Sequence, residues 1–215
     1  MKKQFNLKSI GQAISSFQKH FTAISEKLHM RREELDQEMS DRILSAYDFL
    51  NSLLAKDVDL FTPAGMHNLL ELNHIVLCGT DAVTRTQYYN HLQETRSGFL
   101  KKVRPIKEWV IKKREKNDPW KVATGYYAKS LSQPQLFIEG NHRTGNIILN
   151  YLLISKDKPP FVISEHSAVE YLNLSTMIKF SNKNSALDST LKFPGLRKKF
   201  HDFLKEKGNL DFLMH

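Results

Sequence analysis

A single cysteine, Cys78, stands in the 215 residues, so no intramolecular disulfide can form and nothing in the chain calls for an oxidising compartment. Cys78 ends the apolar run Ile75-Val76-Leu77, where a buried small hydrophobe is the commoner role and a nucleophile the alternative. Long apolar stretches are lacking as well: none approaches the ~20 residues a membrane-spanning helix needs. The opening Met-Lys-Lys-Gln-Phe-Asn-Leu-Lys is charged but leads into no apolar segment of the signal-peptide kind, so a cytoplasmic protein without a membrane partner is expected. No internal repeat or low-complexity tract is visible, which excludes a solenoid array. Acidic residues are in deficit. Against 32 Lys+Arg stand 23 Asp+Glu, a formal charge of +9 that favours acidic partners such as nucleotides, nucleic acid or anionic surfaces without choosing among them.

What is present is ordinary for a globular protein, with 40% apolar and 26% charged residues, enough for one core at this length. A single domain over 1–215 is expected. Much of the positive excess sits in 101–116 and 192–207. Both stretches suit solvated helix faces, with nucleic-acid binding as the lesser alternative.

The apolar residues Ile10, Ile14, Phe17, Phe21, Ile24 and Leu28 alternate in steps of four and three, which puts them on one stripe of an N-terminal amphipathic helix within 1–32. Packing onto its own domain is the expectation, and a partner-binding coiled coil the alternative. A second helix is expected from about Glu34 to Leu54, and a third from Thr62-Pro63, as cap and first helical position, through Val76. The stretch 79–104 is the least regular: Thr84, Thr86, Tyr88 and Tyr89 lean weakly to strand, and Gly98 and Pro105 punctuate it. Pro105 then begins a basic helix. Asp118-Pro119 caps the next, which places Trp120, Ala123, Tyr127 and Leu131 inward. Lys158-Pro159-Pro160 stops the helix after that; a helix through Val169, Leu172 and Ile178 and a basic C-terminal helix over 185–207 complete a mainly α chain.

The chemistry concentrates in Gln135 to Asn146, Gln-Leu-Phe-Ile-Glu-Gly-Asn-His-Arg-Thr-Gly-Asn. Gly140-Asn141 favours positive φ and a tight turn, and the apolar run Ile147 to Ile154 that follows suits a buried helix. A glycine turn entering a buried helix, with an arginine in the first turn, makes an anion site: free N–H groups, the positive end of the helix dipole and a guanidinium that binds phosphate bidentately. The spacing of Gly140 and Gly145 matches a Walker A loop, but Asn146-Ile147 stands where that loop needs its lysine and hydroxyl.

The same residues resemble the signature of Fic/Doc proteins, His-Pro-Phe-x-Asp/Glu-Gly-Asn-Gly/Lys-Arg-x-x-Arg, over a core of roughly 35–180. Phe137, Glu139, Gly140, Asn141 and Arg143 fit in register, whereas Gln135 replaces the catalytic histidine, His142 the glycine or lysine, and Asn146 the second arginine. The resemblance implies a Fic-fold helical domain with a central buried helix after the motif loop and a short β-hairpin flap within 79–104. It implies ATP or another nucleotide as ligand, and transfer of AMP to a hydroxyl of an unknown target protein. Carried over, Glu139 would hold Mg²⁺. Gly140, Asn141, His142, Arg143, Gly145 and Asn146 would form the phosphate site, with Asn141 and the local N–H groups as cradle and Arg143 as clamp. Phe137 would anchor the loop. Gln135 occupies the catalytic position, but an amide cannot act as general base near neutral pH, a loss of roughly 10²–10⁴-fold. His142 is the other imidazole of the loop and the candidate substitute base. A helix glutamate restrains many Fic proteins; Thr22-Ala-Ile-Ser-Glu26-Lys27 approaches that motif but fails at its last position, and Asn146 leaves Glu26 no arginine to pair with. Three functions follow from these features: a nucleotidyl transferase impaired at Gln135, a non-catalytic Fic-fold binding or regulatory module, and a nucleic-acid-binding regulator.

Overall fold

In the computed structural model, which describes residues 3–186 and 192–214, several helices start at a capping side chain that the sequence supplies locally. Asn6 caps α1 (Leu7–Lys19) by accepting from the Ser9 N–H at 3.2 Å. The helix breaks at His20 and resumes as α2 (Phe21–Ser25). The single helix expected within 1–32 is therefore two, followed by a strap over 26–36 without regular structure. The apolar stripe survives the break: Ile10, Ile14, Phe17, Phe21 and Ile24 are all buried, and Leu28 packs against them. Asp36 caps α3 (Gln37–Ala55), accepting from the Met39 N–H at 2.7 Å, which starts the second helix a little later than expected. Thr62 opens a turn, its Oγ1 accepting from the Gly65 N–H, and α4 (Met66–Cys78) begins only after it.

The stretch 79–104 is helical, as α5 (Ala82–Gln87) and the first part of α6 (Tyr89–Arg114). The expected irregular connection and β-hairpin flap are corrected by this: among the described residues there is no strand, only isolated bridges. Asp81 supplies the cap, accepting from the Thr84 N–H at 2.7 Å. Phe99, Val103, Ile106 and Val110 then hold one buried stripe of helical period straight through Pro105. Pro105 lies inside α6 rather than beginning it, on the exposed face, where the lost backbone bond is tolerated because four buried side chains hold the helix on the core.

Asp118 and Pro119 start α7 (Pro119–Leu131) as expected, and α8 (Asn141–Ile154) follows the motif loop. These two form the most extensive helix pair. α8 is buried along nearly its whole length, so it is the central element on which α3, α4 and α7 pack. Asn150, fully buried, ties it in place: its Nδ2 donates to Tyr47 Oη at 2.7 Å and to the Phe161 carbonyl at 2.8 Å, and its Oδ1 accepts from the Phe161 N–H. α9 (Ala168–Lys179) and α10 (Phe193–Lys207) close the other side of α7. Pro194 sits in the first turn of α10, so the helix begins later than the 185–207 expected; residues 187–191 of that range lie outside the described residues. The chain ends meet at a bridge between Phe5 and Leu213, with Phe5 buried against Tyr47. Among the described residues no helix is long and apolar enough to cross a membrane.

Candidate functional site

The loop from Ser132 to Gly140 is shaped by side chains that come from four directions. From below, Asn73 of α4 donates through Nδ2 to the Glu139 carbonyl at 3.0 Å and to Thr144 Oγ1 at 3.1 Å. From α6, Phe99 stacks on Phe137 with ring centroids 5.6 Å apart, and Phe137 is the loop's buried anchor. From the segment after α9, the Gln133 N–H donates to the Ser181 carbonyl, and Lys183 Nζ donates to the carbonyls of Lys129 and Pro134 at 2.7 Å each. Burial, with Lys129 and Lys102 nearby, draws the Lys183 ammonium down to about 8. From within the loop, Asn141 accepts the Phe137 N–H through Oδ1 and donates through Nδ2 to the Phe137 carbonyl, both at 2.9 Å.

That reciprocal pair corrects the role expected of Asn141. Its side chain is buried and committed to the loop backbone, so it shapes the turn and is not itself open to a ligand. Gly140 adopts φ +71°, and a Cβ there would meet Asn73 Nδ2 at 3.0 Å and Leu77 Cδ2 at 3.2 Å, so both the left-handed turn and the close approach of α4 require glycine. The first backbone bond of α8 runs from the Thr144 N–H to the Gly140 carbonyl; the N–H groups of residues 141–143 precede the ladder and lack intrahelical acceptors. Gly145 is buried, and a Cβ there would lie 3.3 Å from the Tyr127 ring, so it serves the packing of α8 on α7 and does not line the cavity.

Over the α8 N-terminus lies a cavity of about 390 Å³. Gln135, Glu139, Gly140, Asn141, His142, Arg143 and Asn146 all line it, and so do residues the sequence did not single out, namely Arg32 and Glu33 of the strap, Lys179 of α9, and Tyr47 and Tyr171. Glu26 is exposed and is not among its walls; Glu33 is the strap's carboxylate there. Apolar walls come from Phe17 and Phe21 on the N-terminal stripe and from Met39 and Ile147.

The polar end is cationic. Arg143 is half-buried and makes no hydrogen bond or ion pair among the described residues. Burial pulls its guanidinium below its ordinary value, with Glu33 as the largest opposing influence. Arg32 donates through Nη1 to His142 Nε2 at 3.1 Å and through Nη2 to Thr176 Oγ1 at 2.5 Å. A guanidinium only donates, so Nε2 of His142 must accept and its proton sits on Nδ1, facing Tyr127 Oη at 3.4 Å; Tyr127 and Tyr171 share a further bond at 2.9 Å. Burial, then Arg32, Lys179 and Arg143, hold His142 well below its ordinary value, so the ring is neutral. Burial pushes the Tyr127 phenol up to about 12 and Tyr171 well above its ordinary value, so both stay protonated hydrogen-bonding groups.

Gln135 donates through Nε2 to the Leu131 carbonyl at 3.1 Å. Asn146 accepts from Tyr47 Oη and Asn150 Nδ2, each at 3.3 Å, and leaves its own Nδ2 buried without a partner. Glu139 is exposed at the rim, its carboxylate free for a ligand while its carbonyl is held by Asn73. Among the described residues no three His, Cys, Asp or Glu side chains gather as a metal site. Arg32, Lys179 and Tyr171 were not recognisable as site residues in the sequence, because Arg32 and His142 are 110 positions apart and only packing brings them together. Comparisons of the chain with protein-family models, with curated proteins and with solved structures find no match.

Proposed function

We propose that the cavity over the α8 N-terminus binds a phosphate-bearing ligand, a nucleotide by the Fic-like spacing of its loop, and that the protein acts first as a Fic-type binding module. The observation that carries this is the unpaired Arg143 guanidinium beside three free N–H groups at a helix N-terminus. A half-buried cation without an ion pair, which Glu33, Glu139 and Asp36 influence only at a distance, is unfavourable unless a bound anion satisfies it. Arg32 and Lys179 add charge of the same sign, and Glu139 with the ligand's oxygens would hold Mg²⁺.

Transfer of AMP to a protein hydroxyl is the second reading, and one feature favours it. His142 is neutral and presents Nε2 into the site, so release of Arg32 toward a phosphate would free that lone pair to accept a hydroxyl proton. Gln135 cannot take this part.

Calorimetric titration of ATP, ADP and pyrophosphate, with and without Mg²⁺, tests the binding proposal. Arg143→Ala is expected to weaken binding about tenfold or more, as loss of a charge-assisted bidentate contact does. Binding that is indifferent to Arg143→Ala would sink it. A radiolabel transfer assay divides module from enzyme: label transferred by the native chain and lost in His142→Ala establishes catalysis, whereas label gained only in Gln135→His establishes a binding module with an otherwise intact loop.

A further inference from the structure

A second cavity, of about 450 Å³, shares no residue with the first and lies where α6, α7 and α10 converge. Each helix contributes cations to it: Lys113 from α6, Lys121 from α7, Arg197 and Lys198 from α10. None of the four makes an ion pair or side-chain hydrogen bond among the described residues, although α10 and α6 carry acids that could have supplied one. The groove is lined by Trp109, which is wedged so tightly onto α7 that a Cβ on Gly125 would fall 2.1 Å from its ring. Lys129 Nζ and the Arg197 guanidinium lie 5.3 and 5.8 Å from the ring centroid. Two polar atoms on the wall are buried and unsatisfied: the hydroxyl of Thr124, which is 1% exposed, and Nε of Arg197.

We propose that this groove is a second anion site, independent of the α8 loop, and that it takes a compact oligophosphate. Four uncompensated cations in one concavity repel each other and favour a multiply charged anion over a single carboxylate. Buried donors without acceptors call for ligand oxygens at that depth. Burial pulls Arg197 below its ordinary value, and burial with Arg197 does the same to Lys129, so both gain from an incoming negative charge. Two features favour a small ligand over a nucleic-acid strand. Lys129 and the Arg197 guanidinium already lie over the Trp109 ring and its edge is packed on Gly125, so a base stacking there competes with two cations for the indole. At His201 the groove meets the carboxylates of Asp118 and Asp202, bonded to that ring at 3.1 and 2.8 Å, and these repel a backbone running past.

Inorganic triphosphate is the probe, titrated into the full chain carrying Arg143→Ala, which weakens the α8 cavity and leaves the groove untouched. Calorimetry gives the affinity, and tryptophan emission, from Trp109 in the groove together with Trp120 in the first turn of α7, follows the same titration. One saturable site with an emission change is expected, weakened about tenfold by Lys121→Ala with Lys198→Ala, two exposed positions whose loss leaves the fold intact. Thr124→Val should weaken it separately. The absence of saturable binding, or an affinity unmoved by the lysine pair, overturns the site. A single-stranded oligonucleotide that binds more tightly than triphosphate, and is lost with the same lysines, overturns the ligand class.

Discussion

His142 sits among Arg32, Arg143 and Lys179, and every one of these neighbours opposes its protonation, as burial does. Its proton binding is therefore coupled both to folding and to whatever neutralises those cations. An unfolded histidine titrates near ~6.5, so as pH falls through that value the unfolded chain takes up a proton that the folded chain refuses. The stabilisation from neutral His142 is thus fully present above that pH and is lost as pH falls. His74, depressed by burial and by Arg85, Arg96 and His91, acts in the same direction despite the opposing Glu71. Thermal unfolding followed between about pH 7 and 5 should show a falling midpoint, and His142→Asn should flatten part of that fall; an unchanged slope in the variant would mean that the ring titrates normally. Burial is the largest cause of the depression and persists, but an anion on Arg143 offsets the part that comes from the cations, so ligand binding at about pH 6 should draw protons from solution. Calorimetry in buffers of different ionisation enthalpy measures this uptake, and its disappearance in His142→Asn would place the anion beside the ring.

At the scale of elements, the contact between α6 and α7 depends on one missing side chain. Trp109 occupies the space a Cβ on Gly125 would need, so Gly125→Ala must expel the indole or separate the helices. We expect a loss of roughly 1–3 kcal/mol in chemical denaturation, the scale of an overpacked core contact, together with the emission of an exposed Trp109; an alanine variant of native stability would show that the ring has room elsewhere. The helices were legible in the sequence to different degrees. The stripe from Ile10 to Leu28 predicts the buried face of α1 and α2 because burial follows helical period even across the break at His20. The capping pair Asp118-Pro119 and the turn at Gly140 fix α7 and α8, since each is a local interaction between neighbours in sequence. The stretch 79–104 misleads because Thr84, Thr86 and the tyrosines favour strand and Pro105 suggests a boundary. The outcome is set instead by Asp81 at the start and by Phe99, Val103, Ile106 and Val110 packing as one face. The strap bearing Arg32 and Glu33 has no period at all. Its position is set by distant partners, with Gln18 Nε2 donating to the Leu35 carbonyl and Asn173 accepting the His29 N–H, and nothing within the strap announces them.

Over the whole molecule, two groups of basic residues face cavities, Arg32, Arg143 and Lys179 one of them and Lys113, Lys121, Arg197 and Lys198 the other. The first group has no exposed member, whereas the second has two. Arg143 is half-buried, whereas Lys121 and Lys198 stand in solvent. Exposed charges are screened within a Debye length, about 10 Å at 0.1 M salt, and buried ones much less. Raising salt from about 50 to about 200 mM should therefore weaken triphosphate at the groove more steeply than a nucleotide at the α8 cavity. The Arg143→Ala chain isolates the groove, and the chain lacking Lys121 and Lys198 side chains isolates the cavity, so titrations of the two at several salt concentrations give separate slopes. Equal slopes would mean that Arg143 is as hydrated as the surface lysines. The cavity's affinity would then rest on long-range attraction alone, and the half-buried, unpaired guanidinium that supports a specific phosphate site would lose its force.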